Sequence, residues 1–408
     1  MTILFITLFD IRDIDEHGIY SDLMREFAKA NNDVYIVSPI ERRCKISTHL
    51  IQYDTFNDWH RNIHILKKKT LNIQKTNVIE KGIATILIEG QITRAIKKYF
   101  KNIRFDLILY STPPITLIKP IQYVKKRDRA KTYLMLKDIF PQNAVDLGML
   151  PAKGLLYNFF RRKEKKLYDI SDKIGCMSQA NVDYILKSNS EIKKEKVEIC
   201  PNCIEVVELK ITKEEKVAIR QKYDLPIEKK IFVYGGNLGV PQGVPFIIDC
   251  LQAERTNGAV FFLIVGDGTE YQKIETFVNM EKPTNVRLMK QLLRDDYDRM
   301  IAACDVGMIF LDYKFTIPNF PSRLLSYMQA GLPVLVASDV STDVGKYVEL
   351  NGIGLCCSSN DVEGFAQCVD KLCDYTVLTD PAESLKTDFN LQKTAEMILK
   401  SVYENSCE

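Results

Sequence analysis

The residues best placed to do chemistry lie in Ile317-Pro318-Asn319-Phe320-Pro321-Ser322-Arg323, a proline-ended loop that runs into an apolar helix pattern. Ser322 stands where a helix N-cap is expected, Leu324, Leu325 and Met328 supply one apolar face, and Gly331 stands at the C-terminal stop. A helix start with a hydroxyl and an arginine suits an anion: the first amides have no intrahelical partner, and a guanidinium grips two phosphate oxygens at once. The same pattern also fits an ordinary capped helix of an α/β domain, so its neighbours decide between the two.

Glycines recur where strands are expected to end: at Gly18, across Gly235–Gly239 with Gly236, Asn237 and Gly239, and across Gly266–Gly268 with Asp267 between them. Glycine there lets a backbone approach a phosphate, although βα turns often need it anyway. None of these turns is a dinucleotide GxGxxG or a Walker loop, which gives NAD and ATP no support. Asp138, in Lys137-Asp138-Ile139-Phe140-Pro141, ends an expected strand and reads as either a site carboxylate or a turn cap. His17 precedes Gly18 and reads as either a hydrogen-bonding base or a plain loop histidine. Asp13-Ile14-Asp15 has a metal–diphosphate spacing but falls in the first loop of a doubly wound pattern, the wrong context. No HExxH, histidine pair or three-cysteine set occurs, so neither metal nor cofactor is expected. Cys200-Pro201-Asn202-Cys203 lacks the second pair a metal site needs, and the eleven cysteines read as reduced structural thiols of a cytoplasmic protein.

The elements that must position these residues form two runs of alternating strand and helix. In the first, strands are expected at Ile3–Leu8, Asp33–Ser38, Leu107–Tyr110, Thr132–Leu136, Lys173–Met177 and Val197–Cys200. Helices are expected at Tyr20–Ala30, Gln91–Phe100 and, capped by Ser178, Ala180–Lys187. Residues 39–90 are less regular and read as an insertion or a mobile loop. The pattern restarts after the charged segment Lys210–Lys230. Strands at Lys230–Tyr234, Ala259–Val265 and Val306–Phe310 then alternate with helices at Phe246–Gln252 and Asp296–Ala303. Alternation of this kind predicts an open parallel sheet with helices on both faces, twice over. Ligands are then expected beyond the carboxyl ends of the strands and in a cleft between the domains. Leu391–Tyr403 reads as a final amphipathic helix, with Ala395, Ile398, Leu399 and Val402 on one face.

Composition is that of a globular chain, 46% hydrophobic and 27% charged, with no run apolar enough to span a bilayer. The charge is divided unevenly. Residues 1–200 carry 35 Lys+Arg against 23 Asp+Glu, or +12, whereas residues 201–408 carry 21 against 30, or −9. Arg161, Arg162, Lys163, Lys165 and Lys166 directly follow Leu155-Leu156-Tyr157-Asn158-Phe159-Phe160. That arrangement predicts either a helix lying on an anionic membrane or a core helix with a solvated basic side. No nucleic-acid-binding module is present, and no nucleic-acid partner is expected.

Tyr234-Gly235-Gly236-Asn237-Leu238-Gly239, Leu263-Ile264-Val265-Gly266-Asp267-Gly268 and the run from Pro318 to Val334 together resemble the retaining family-4 glycosyltransferases of the GT-B fold. The resemblance spans nearly the whole chain and is nearest to enzymes of bacterial capsule, O-antigen and exopolysaccharide clusters. Lys137-Asp138-Ile139-Phe140-Pro141 resembles the strand end of the subgroup that handles N-acetylated amino sugars, the L-fucosamine type. The resemblance implies two Rossmann-like domains: 1–205, with a crossing helix over 388–408, for the acceptor, and 206–387 for a nucleotide-sugar donor, UDP-linked by expectation. It also implies a lipid-linked polyprenyl-diphosphate saccharide as acceptor and a peripheral place on the inner face of the cytoplasmic membrane. Donor contacts are then expected from Gly236, Asn237, Gly239, Gly266, Asp267, Lys290, Arg294, Asn319, Ser322, Arg323 and Ser326, acceptor contacts from Gly18 and Asp138, and catalysis from Asp138, His17 and Arg323. Many members carry two glutamates eight positions apart, where this chain has Pro318 and Ser326. Asn237 and Gln242 stand where an Arg/Lys pair often clamps the diphosphate. Two other readings share the architecture: a UDP-sugar 2-epimerase, and a non-catalytic partner subunit prompted by the missing glutamates.

Overall fold

Unbroken apolar runs such as Ile3-Leu4-Phe5-Ile6 and Phe261-Phe262-Leu263-Ile264-Val265 suit strands covered on both faces, and all of these side chains are buried. The computed structural model describes residues 1–53, 60–72, 78–207 and 209–403. These divide into two compact units: Met1–Glu205 with the segment from Leu391 onward, and Val206–Asn390.

The first unit runs β1 (Thr2–Ile6), α1 (Ile19–Lys29), β2 (Asp33–Glu41), β3 (His49–Gln52), β4 (Ile63–Thr70), α2 (Val78–Tyr99), β5 (Leu107–Ser111) and α3 (Ile118–Asp128). It continues through β6 (Lys131–Leu136), α4 (Gln142–Asp146), α5 (Leu155–Ile170), β7 (Lys173–Cys176), α6 (Gln179–Ser188) and β8 (Val197–Ile199). Its sheet order is β3-β4-β2-β1-β5-β6-β7-β8, parallel throughout except for the antiparallel β3–β4 pair. Part of the 39–90 region therefore extends the sheet as β3 and β4 and does not form an insertion; 54–59 and 73–77 lie outside the described residues.

The second unit runs α7 (Lys213–Lys222), β9 (Lys230–Asn237), α8 (Val244–Ala253), β10 (Val260–Asp267), α9 (Tyr271–Glu281), β11 (Val286–Met289), α10 (Arg294–Ala302) and β12 (Val306–Phe310). It ends with α11 (Arg323–Gln329), β13 (Val334–Ser338), α12 (Val344–Leu350), β14 (Gly354–Ser358), α13 (Val362–Cys373) and α14 (Pro381–Asp388). Its sheet is wholly parallel, in the order β11-β10-β9-β12-β13-β14. The charged segment Lys210–Lys230 contains a helix after all, because Thr212 and Glu215 form a reciprocal capping box at the start of α7.

The last helix, α15 (Leu391–Tyr403), belongs to the first unit. Ala395, Ile398 and Val402 join the core formed by Leu23 and Phe27 of α1 and by strand residues, while the Tyr403 hydroxyl donates to the Asp106 carbonyl at 2.9 Å. Burying a large apolar side chain stabilises by about 1.5–3 kcal/mol, so this one face is enough to hold the helix.

Each sheet has one switch point, between β1 and β5 and between β9 and β12, where the chain reverses its direction of growth. The carboxyl ends of the strands diverge there and leave room for a ligand. In the second unit, close packing around β9 depends on glycines of β12 and β10. A Cβ on Gly307 would lie 2.3 Å from the Tyr327 ring, and one on Gly266 only 1.9 Å from the Gly236 carbonyl oxygen. Gly307→Ala should therefore lower the unfolding free energy by about 1–3 kcal/mol, read from the urea midpoint. Gly258→Ala, in a turn with open space around it, should stay within about 0.5 kcal/mol of wild type.

Candidate active site

In the second unit the site grows from α11. Its end follows the expected design: Gly331 takes φ +68°, its amide donates to Met328, and the Leu332 amide donates to Tyr327. Its start does not. Ser322 has helical φ and ψ and makes no side-chain cap, and the amides of Leu324 and Leu325 turn back to the carbonyls of Pro321 and Ser322. The reason is local: after Pro321 the chain tightens into the helix one residue early, so Ser322 lacks the extended backbone a capping serine needs. The anion-binding capacity of this helix start thus falls chiefly on Arg323.

Arg323 is half-buried, and its guanidinium carbon lies 4.3 Å from the centroid of the Tyr234 ring. Among the described residues no carboxylate pairs with it, and its Nη1 is sealed from solvent without a hydrogen-bond partner. Tyr297 of α10 and Tyr327 of α11 complete the surroundings and hydrogen-bond to each other. The Tyr327 oxygen accepts the Gly235 amide at 3.1 Å while its hydroxyl donates to the Met308 carbonyl at 3.1 Å. Burial pushes the Tyr327 phenol up to about 12, so it stays neutral beside the arginine. Glycines set the spacing: a Cβ on Gly235 would lie 1.7 Å from the Tyr297 hydroxyl, and one on Gly236 would lie 3.4 Å from Arg323 Nη2. These three tyrosines escaped sequence reasoning. The available signal was Tyr327 standing one helical turn after Arg323.

The other expected donor residues divide into near and remote. Ser326 is buried, and its Oγ accepts from Arg294 Nη2 at 3.4 Å, while Arg294 Nε donates to Asp298 at 2.8 Å. A carboxylate and a cation therefore accompany the serine that replaces a glutamate. Asn237 turns its amide to Gln242, and the amides of Leu238 and Gly239 are already spent on the Asp267 carbonyl and on Gln242 Oε1. Those amides therefore do not form a free phosphate cradle. Gly266 is required by its contact with the Gly236 carbonyl, and the Asp267 carboxylate accepts the Gly268 amide. Asn319 holds its own turn through Thr342 and Ile317. Lys290 is exposed, with its ammonium 3.2 Å from the centroid of the Tyr271 ring.

In the first unit, Asp138 follows β6. Both of its carboxylate oxygens accept from Asn143 Nδ2 of α4, at 2.7 and 2.8 Å. Burial raises its pKa to about 6, against the lowering effect of Asn143 and the Ile139 amide. It is thus a carboxyl that titrates close to neutral pH, with no ion pair among the described residues. His17 is placed differently. Its Nδ1 lies 3.7 Å from Asp22 and 3.9 Å from Glu205, and these three offer a metal-like set. The Arg25 guanidinium occupies that place, 2.8 Å from Asp22 and 2.7 Å from Glu205. Gly18 gives its amide to Asp22 at 2.9 Å, so it is not a free anion donor. Asp15 pairs with His60 at 3.0 Å and Asp13 accepts the Tyr53 hydroxyl at 3.4 Å, which fits the D-x-D to loop bracing.

The basic run also divides. Arg161 is tied to Glu164, Ser188 and Asn189, Lys163 to Glu89, and Lys165 to Glu191. Arg162 and Lys166 remain exposed without an ion pair among the described residues. Cys200 and Cys203 are buried thiols in the first unit's core, and burial pushes Cys203 up to about 12. No described cysteine is in a disulfide.

The raised pKa of Asp138 gives a signed prediction. Its folded value of about 6 exceeds the unfolded value near 3.8, so the folded state holds the proton longer. Stability from this group is complete below pH 3.8 and is lost as pH rises through 6. Asp138→Asn, which mimics the protonated form, should therefore gain on wild type by about 2–3 kcal/mol between pH 4 and 7. Urea unfolding across that range measures it, and parallel curves would refute it.

Known proteins resemble this arrangement at several levels. Residues 229–374 match the family described as glycosyl transferases group 1. WbjE of Pseudomonas aeruginosa, named a probable glycosyltransferase, is 23% identical over 302 residues, 74% of each chain. Among solved structures, WaaG, a glycosyltransferase involved in lipopolysaccharide biosynthesis, superposes with a TM-score of 0.64 at 14% identity, covering 98% of this chain and 100% of its own. Anabaena HepE in complex with UDP-glucose gives a TM-score of 0.67 at 14% identity, covering 98% and 99%. The fold is that of the GT-B glycosyltransferases, with two parallel-sheet domains, and over residues 229–374 the second unit matches the group 1 glycosyltransferase family.

Proposed function

We propose that this chain is a glycosyltransferase of surface-polysaccharide synthesis that takes a sugar from a nucleoside-diphosphate sugar and retains its configuration. One observation carries the reading: Arg323, in the domain that matches the family, is a half-buried cation with no carboxylate partner among the described residues and an unused, sealed Nη1. A diphosphate supplies the missing charge and the missing acceptor together. HepE was solved with UDP-glucose, which supports UDP as the carrier here. The donor sugar in this reading is an N-acetylated amino sugar, and the acceptor is a lipid-linked saccharide at the inner face of the cytoplasmic membrane. The +12 balance of residues 1–200 supports an anionic partner such as a diphosphate-linked lipid at an anionic membrane.

Chemistry follows from the charges. As the bond from the anomeric carbon to the diphosphate oxygen breaks, negative charge grows on that oxygen, and Arg323 stabilises it. The acceptor hydroxyl bonds to the same face of the carbon, and its proton passes to the departing diphosphate. Asp138, half-ionised near pH 6, accepts a hydrogen bond from that hydroxyl and orients it, with His17 in a lesser role. Ser326, backed by Arg294 and Asp298, takes a ribose hydroxyl in place of the glutamate. Protein cations alone neutralise the diphosphate in this scheme.

Calorimetric titration with UDP and a panel of UDP-sugars tests the site. Arg323→Ala should weaken binding by about 1.5–3 kcal/mol, and an unchanged affinity would remove the arginine from the site. Turnover with membrane lipid extract should yield a glycosylated lipid. Release of isomerised free donor would instead identify an epimerase.

A further inference from the structure

The first turns of α5 stand out of the first unit. Residues 151–156 are all exposed, Gly154 opens the helix at φ +134°, and no acidic residue lies in the first turn. Four large apolar side chains are exposed within residues 149–159: Met149 at 66% exposure, Leu155 at 92%, Leu156 at 54% and Phe159 at 44%. Leu155, Phe159, Arg162 and Lys166 follow one another at helical spacing, so one solvent face runs from apolar to basic. Lys153 adds a cation before the helix, Asp169 closes the stripe at its far end, and Asp146 of α4 is the nearby acid in sequence. Arg161, Lys163 and Lys165 are held by Glu164, Glu89 and Glu191, so the free charge belongs to Lys153, Arg162 and Lys166.

We propose that this tip inserts Met149, Leu155, Leu156 and Phe159 into an anionic lipid bilayer, with Lys153, Arg162 and Lys166 resting on the headgroups. The choice of a bilayer rests on the glycosyltransferase reading with a lipid-linked acceptor and on the charge beside the apolar tip. An apolar cluster rimmed by unpaired cations matches the hydrocarbon boundary below an anionic surface. The basic run alone, which the sequence singles out, lacks the free charge for the task.

Co-sedimentation of the full chain with phosphatidylglycerol–phosphatidylethanolamine vesicles tests this. Wild type should bind and keep part of its binding at high salt, because apolar insertion is not screened. Leu155→Asp with Leu156→Asp should reduce the partition at least about tenfold, whereas Arg162→Glu with Lys166→Glu should abolish the preference for anionic over neutral vesicles. UDP titration of the same variants should be unchanged, which shows that they fold. Wild type that ignores vesicles, or a leucine variant that binds like wild type, overturns the inference. So does a wild-type dimer that the leucine variant dissociates, since a second copy would then cover the tip. Vesicle binding without UDP binding would leave this inference standing and refute the donor reading.

Discussion

A guanidinium with no carboxylate partner among the described residues organises the switch point of the second unit. Keeping a charged group from water is costly unless something answers the charge, and Arg323 is answered only by the face of Tyr234 and by neutral phenols. Those rings can come close only because β9 and β12 carry glycines beneath them. Tyr297 lies where a side chain on Gly235 would be, and Tyr327 where one on Gly307 would be. The short α11, stopped at Gly331, then brings Arg323 and Tyr327 to the switch point together. Sheet topology, glycine placement and helix length all bear on one cation.

The first unit provides the contrast. Arg25 is buried, unlike the half-buried Arg323, and Asp22 and Glu205 satisfy it, with the exposed His17 at 3.4 Å from its Nη2. Such a compensated arginine braces the start of α1. Asp138 has different partners, the neutral amide of Asn143 on both oxygens, and burial raises its proton affinity although those hydrogen bonds lower it. Arg25 is answered by opposite charges, whereas Arg323 and Asp138 are paired with neutral groups among the described residues.

Much of the fold was legible in one dimension because buried parallel strands are short apolar runs. Val306–Phe310 and Leu391–Tyr403 appear in the structure with the bounds their patterns indicate. The edges were less legible. β3 is the half-exposed edge strand, and β4 beside it carries His64 and Lys67–Lys69, so neither keeps the unbroken apolar signature of a central strand. The α7 helix was hidden by its charge, and only its capping box betrays it.

Sequence by itself determined the parallel-sheet architecture and the basic character of the first half, because periodicity and composition are local quantities. Tertiary structure decided which of these charges are free. Arg161 and Lys163 look like surface cations in the sequence, yet they are tied to Glu164 and Glu89, the latter far away along the chain. The Gly18 and Gly239 amides look like anion donors, yet side chains on the following turns take them. Arg323 looks like any capped-helix arginine until Tyr234 and Tyr297 arrive from other elements and no carboxylate does. A partner's identity depends on distance in space, and spacing along a chain does not encode it.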